Sequence, residues 1–184
     1  GGRRRGAPPR VMSARVTGWL ARRRVALGFA AGAAVLWLAA PTWTTWSVGF
    51  AVALGGEAVR LWAAGHLEKN REVTRSGPYR WMRHPLYVGS AVVALGVVIA
   101  ARSLPAAIVV AMYIAATIGA AIRVEEAQLR RAFGDAYERY ARSEVEPMVR
   151  RFSGARAARN REHRAIVGLL GGFALLALKL WRPI

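Results

Sequence analysis

The chain has 184 residues, of which 54% are hydrophobic and 21% charged, a length suited to one domain. Its 28 Lys and Arg stand against 10 Asp and Glu, a net charge of +18, and a chain this basic meets either nucleic acid or the anionic face of a membrane. The charges are confined to gaps between long apolar runs, which excludes a single soluble core and sets nucleic acid aside; the lack of cysteine excludes disulfides, thiolate metal sites and a Cys nucleophile.

Residues 1–24 read as a basic, disordered cytoplasmic arm, with adjacent prolines at Pro8 and Pro9. Arg22 to Arg24 before an apolar stretch also have the outline of a secretion signal, but further spans follow. A first span is expected over about 25–40. Pro41, Thr42, Thr44 and Thr45 form an uncharged turn, with Trp43 and Trp46 at interface depth. A second span, about 46–64, carries Glu57 and Arg60, a self-neutralising pair at i,i+3 or an intramembrane functional site.

The polar segment 65–84 leads to a third span, about 85–101, opened by Pro85 at a position where a first helical turn tolerates proline. Arg102, Ser103 and Pro105 make a tight turn into a fourth span, about 104–122. The charged segment 123–164 begins with Glu125 and Glu126. Its stripe of Leu129, Ala132, Phe133, Ala136, Tyr137 and Tyr140 is expected to form an amphipathic helix on the membrane surface. The last apolar run, about 165–181, is a fifth span or an interfacial helix, with Lys179 able to snorkel. The organisation is therefore an arm at 1–24, a membrane core at 25–152 and a basic linker with a terminal apolar helix at 153–184.

Lys and Arg number eight from Arg3 to Arg24, five from Lys69 to Arg83 and eleven from Arg123 to Arg164, against one in the alternate turns. The positive-inside rule puts the N-terminus and the two long polar segments in the cytoplasm. The expected fold is all-α: a polytopic helical bundle of about five spans in a membrane, a bacterial inner membrane on this reading. The spacings Gly28-x-x-x-Gly32 and Gly168-x-x-x-Gly172 fit helix-packing motifs, although such spacings recur by chance in Gly- and Ala-rich spans. The three histidines are scattered and no HExxH occurs, so no metal site is expected.

Chemistry is concentrated at the cytoplasmic span ends. Arg83 and His84 stand at the mouth of the third span, whose free N–H groups suit an anion, with Tyr87 and Gly89 one turn further in; membrane anchoring would use the same residue types. Two adjacent carboxylates follow Arg123 at the end of the fourth span. They cannot face the same way; the pair reads either as one acid meeting a ligand while the other pairs with an Arg, or as a plain helix end in solvent.

In this order, Gly77-Pro78-Tyr79, Arg83-His84-Pro85, Tyr87 and Gly89, then a hydrophobic hairpin, then Arg123, Glu125-Glu126, Leu129, Phe133-Gly134, Tyr137 and Tyr140 resemble the isoprenylcysteine carboxyl methyltransferases and the related phospholipid N-methyltransferases. The resemblance runs from Ser76 to Tyr140, and Arg60-Leu61-Trp62-Ala63 resembles the end of the preceding span. It implies an S-adenosylmethionine-dependent methyltransferase with a lipophilic acceptor. Tyr79, Arg83, His84, Pro85, Leu86, Tyr87 and Glu125 or Glu126 fall at cofactor positions, Arg123 and Glu126 at catalytic ones, and Arg60, Trp62 and Arg123 at substrate ones. A carboxylate acceptor would need a cation such as Arg123 or Arg60, and a phospholipid amine a base such as Glu. The chain departs from the family at Val145-Glu146-Pro147, where an acid is inserted into a Val-Pro pair, and after Phe152. The competing readings are an NADPH-dependent membrane reductase of the steroid-reductase type and a non-catalytic lipid-binding protein.

Overall fold

The computed structural model describes residues 14–69 and 71–181. Within them the chain is helical: α1 (Ala14–Leu38), α2 (Trp43–Ala64), a 3-10 turn (Gly77–Arg80), α3 (Pro85–Ala101), α4 (Leu104–Phe133), α5 (Asp135–Ala141), α6 (Gly154–Arg159) and α7 (Glu162–Trp181). No strand occurs among the described residues. Two helices, α4 and α7, are long and apolar enough to cross a membrane; the apolar part of α1 (Val25–Leu38) and α3 are shorter apolar helices.

Three expectations are corrected. The first helix starts at Ala14, not near Val25, so residues 14–24 are helical rather than a disordered arm. Arginine is a good helix former, and Arg22 to Arg24 continue the apolar helix without ending it. Residues 1–13 lie outside the described residues. The turn after α1 is shorter than expected: Thr42 and Thr45 form a reciprocal capping box, which draws Thr44 and Thr45 into α2. The aromatic stripe after Glu126 is not one helix, because α4 continues to Phe133 and breaks at Gly134, whose φ of 48° is open to glycine, before the short α5. By contrast α3 occupies the expected span, closed by Arg102 in the left-handed region at φ 47°.

Packing explains which helices meet. Small residues let α2 and α3 touch backbone to backbone: a Cβ added at Gly56 would lie 2.6 Å from Val93 N and 2.7 Å from Gly89 O, and one at Gly89 would lie 2.7 Å from Gly56 O. α1 packs against α4. α7 lies antiparallel along α2. At one end Trp181 meets Trp43 edge to face at 6.3 Å; in the middle Trp46 Nε1 donates to Phe173 O at 2.9 Å. Lys179 Nζ donates to Leu36 O, Trp37 O and Ala39 O at 2.8, 3.1 and 2.7 Å, capping the end of α1 with a cation. The buried core is built from Val35, Ala53, Ala100, Leu169, Phe173 and Leu176 among others.

The segment after α5 folds back over the α2–α3 connection. Arg150 grips Glu72 through both nitrogens at 2.6 and 2.9 Å, Arg156 pairs with Glu68 at 2.7 Å, and Asn160 Nδ2 donates to Ala64 O and Leu67 O. This strap carries the chain to Glu162, the first residue of α7.

Candidate functional site

His84 is the N-cap residue of α3, held there by Pro85 and by its carbonyl, which accepts from Tyr87 N–H and Val88 N–H. Its Nε2 lies 3.0 Å from Glu126 Oε1 on α4. Arg83 Nη1 reaches the same oxygen at 3.5 Å, and Arg130 Nη2, one turn further along α4, lies 3.7 Å from Oε2. Burial alone would raise the Glu126 carboxyl; the hydrogen bond with His84 and the nearby Arg83 and Arg130 outweigh it and hold the group below the usual carboxylate range.

Three tyrosines back this cluster. Tyr140 donates to Tyr79 O at 2.9 Å, joining α5 to the 3-10 turn, and burial followed by the neighbouring Tyr137 pushes its phenol up to about 12. Tyr137 is buried with its hydroxyl turned toward Glu126; burial and then the charge of Glu126 raise it, while the Arg130 guanidinium sits over its ring. Tyr79 is raised by burial first and then by Glu125, Tyr140, Tyr87 and Glu162, so its hydroxyl feels carboxylates from two directions. The ring of Tyr87 lies 5.9 Å from that of His84.

The second element is a cavity of about 460 Å³ enclosed by α1, α2, α3, α4 and α7. Its walls are apolar, from Val35 and Leu36 through Val93, Val97 and Ile114 to Leu169 and Phe173. The polar groups gather at Glu57, Arg60 and Ser90. Arg60 Nε lies 3.2 Å from Glu57 Oε2, its Nη1 donates to Ser90 Oγ, and its Nη2 lies 2.5 Å from Glu162 Oε1. The glycines singled out for helix packing behave differently from expectation. Gly28 does face a close neighbour, the Tyr113 hydroxyl, but nothing stands within 4 Å of a Cβ at Gly32, Gly168 or Gly172. Those three line the cavity and create its width. A second hollow of about 330 Å³ follows α3 and α4 below His84, lined by Tyr87, Val88, Ile114, Ile118 and Ile122.

The expected site residues divide accordingly. Tyr79, Arg83, His84, Pro85, Tyr87, Glu125 and Glu126 gather where α3 meets α4, with Glu126 the acid that reaches His84; Leu86 follows in the first turn of α3. Arg60 stands at the cavity. Trp62 turns outward and is tilted against Trp81 at 5.7 Å, and Arg123 is exposed and lines neither hollow. Sequence reasoning missed Glu162, Ser90, Arg130 and the Tyr137 hydroxyl. Glu162 had one legible mark, an acid placed just before an apolar run. Among the described residues no group of three His, Cys, Asp or Glu side chains is arranged to hold a metal ion.

A sequence model of the phospholipid methyltransferase family matches residues 25–136, more than half of the chain. The chain is 34% identical over 108 residues to the nickel-cobalt-cadmium resistance protein NccN of Alcaligenes xylosoxydans xylosoxydans, covering 58% of this chain and 49% of that protein. It is 39% identical over 85 residues to the cobalt-zinc-cadmium resistance protein CzcN of Cupriavidus metallidurans, covering 45% and 39%. The chain thus spans half or less of the length of these curated relatives. No solved structure matches it.

Proposed function

This chain belongs to the phospholipid methyltransferase family, and on that premise we propose that it is a membrane enzyme transferring a methyl group from S-adenosylmethionine to a lipophilic acceptor. The observation that carries the reading is the 3.0 Å contact of His84 Nε2 with Glu126 Oε1, which joins the ends of α3 and α4 beside Arg83. The donor set fits the cofactor. Arg83 and the Leu86 N–H, which has no helical acceptor, suit its carboxylate. Glu126 Oε2, 3.7 Å from Arg130 Nη2, and the neighbouring Tyr137 hydroxyl suit an ammonium or ribose hydroxyls. The faces of Tyr79 and Tyr87 suit a sulfonium. When bound, the cofactor supplies an electrophilic methyl carbon for in-line displacement.

The chain's own residues then orient and exclude water. Tyr140 fixes the 3-10 turn against α5 and so positions Tyr79. Holding donor and acceptor at one geometry removes much of the entropic part of the barrier. The apolar cavity is suited to an acyl or prenyl chain entering from the lipid. In this reading the helices form a five-span bundle with the N-terminus, the strap and the donor site on the cytoplasmic side, and Arg123 lies at the lipid headgroup boundary.

The test is cofactor binding by the full chain in lipid nanodiscs. S-adenosylmethionine and its demethylated product are expected to bind and raise thermal stability. His84→Ala and Glu126→Gln are expected to weaken both effects at least tenfold in affinity while leaving the protein folded. Stabilisation by NADPH alone would favour the reductase reading instead. Incubation with methyl-labelled cofactor and native lipid extract, followed by identification of the labelled lipid, then names the acceptor.

A further inference from the structure

The polar end of the cavity holds one cation between two carboxylates. Glu57 and Glu162 are 7% and 5% exposed. Arg60 reaches Glu57 Oε2 at 3.2 Å and Glu162 Oε1 at 2.5 Å, and also donates to Ser90 Oγ. Each of its three nitrogens therefore faces an acceptor, one N–H on each Nη stays uncommitted, and the formal charges of the three side chains sum to −1. Glu57 Oε1 and Glu162 Oε1 are both buried and accept no hydrogen bond of good geometry, and of the two residues it is Glu57 that lines the cavity. A buried carboxylate oxygen without a donor is costly, and the cost falls when a ligand brings an N–H or O–H to it.

Glu162 does not belong to the matched family segment: it opens α7, which the strap of residues 146–160 delivers to Arg60. Without Glu162, Arg60 would have only Glu57 as counter-ion and would present spare N–H groups to the cavity, an arrangement that attracts an anionic head. With Glu162 in place, two carboxylates face one cation, and the open acceptor at the cavity is Glu57 Oε1.

We propose that Glu57 Oε1 is the head-group site of the cavity, that it takes an amphiphile whose polar end donates a hydrogen bond, a hydroxyl or an ammonium, and that Glu162 sets this preference by engaging Arg60. Glu57 touches the ligand; Glu162 is a positioning residue acting through Arg60. Of the acceptor classes the sequence left open, this disfavours a carboxylate paired with Arg60. It rests on the reading of the cavity as the acceptor site, and its test does not require turnover.

The experiment uses the full chain in nanodiscs of one fixed lipid composition, and compares decanol, decylamine and decanoate by equilibrium dialysis. Each ligand is scored against protein-free nanodiscs of the same lipid, so that partitioning into lipid cancels. Wild type is expected to bind decanol or decylamine at least tenfold more tightly than decanoate. Glu57→Gln is expected to abolish that excess. Glu162→Gln is expected to raise decanoate affinity tenfold or more while lowering that for decylamine, with S-adenosylmethionine affinity unchanged in the same samples. Equal binding of the three heads by wild type overturns the proposal, even if Glu162→Gln fails to fold. A Glu162→Gln protein that binds the cofactor normally but keeps the wild-type head preference overturns the role of Glu162. Loss of cofactor binding by wild type would sink the methyltransferase reading and leave the head-group comparison intact.

Discussion

Gly55 and Gly56 are neighbours on α2, and the same substitution is expected to act on them with opposite sign. A Cβ at Gly56 would lie 2.6 Å from Val93 N, 2.7 Å from Gly89 O and 3.0 Å from Val92 Cβ; a Cβ at Gly55 would meet nothing within 4 Å. Optimal heavy-atom separation is about 3.5–4.0 Å, so the α3 backbone would have to retreat by about 1 Å to admit Gly56→Ala. Two of the clashing atoms are backbone and cannot rotate away. Overpacking of this kind costs about 1–3 kcal/mol, offset by about 0.5–1 kcal/mol for replacing glycine in a helix. The net expectation is destabilisation by up to about 2.5 kcal/mol for Gly56→Ala and stabilisation by about 0.5–1 kcal/mol for Gly55→Ala. At about 2–4 °C per kcal/mol for a chain of this size, the two variants should melt several degrees apart. Thermal unfolding of both, purified in the same detergent, reads this directly. Gly56→Ala should also weaken acceptor binding, because the shift moves α3 and Ser90 away from Arg60. Equal melting temperatures for the two variants would refute the close α2–α3 approach.

Other outcomes follow from the same geometry. The Glu126 carboxyl is held below its ordinary value, so its contribution to stability is fully present above about pH 4.3 and is lost as pH falls through the depressed folded value. The difference in melting temperature between wild type and Glu126→Gln should therefore shrink on acidification below about pH 4. Tyr140→Phe removes the hydrogen bond to Tyr79 O and should cost about 1 kcal/mol, with a further loss of cofactor affinity if the 3-10 turn shifts. Cysteines placed singly at the exposed positions Thr44 and Arg151, in a chain with no native cysteine, should label from opposite sides of the membrane, Arg151→Cys from the cytoplasm. Thr74, another position on the strap side, is buried against the Glu68 backbone and should label poorly from either side.

What sequence could and could not reveal divides along physical lines. Proline at a helix start and a run of uncharged residues are local signals, and α3 lies where they predict. The Glu57–Arg60 contact is an i,i+3 relation and was equally legible. The partner that completes it, Glu162, stands more than a hundred residues away on a helix whose docking depends on the strap, so no local pattern carries it. Glu125 and Glu126 differ by about 100° around a helix, and only the placement of α3 against α4 selects Glu126 for His84. The same limit applies to Arg123: its position at a span end was readable, but the direction of its side chain was not. The tyrosine stripe misled because its periodicity runs through Gly134, while the backbone there turns out of the helix.

α7 is fastened at both ends, and one face of its middle is left open. Glu162 ties its first turn to Arg60, Lys179 ties its last turn to three carbonyls of the α1 end, Phe173 between them packs against Trp46 and Phe50, and a Cβ added at Gly168 or Gly172 would meet nothing within 4 Å. Mechanically it is a beam whose glycine face hangs unsupported over a void. Side chains grown from the unsupported stretch would shorten the void without disturbing either support, so the length of chain the cavity admits is adjustable by substitution at two positions. If the cavity takes the acceptor as proposed, substitutions at residues 168 and 172 would set the length of chain it admits, apart from the groups at His84 and Glu126.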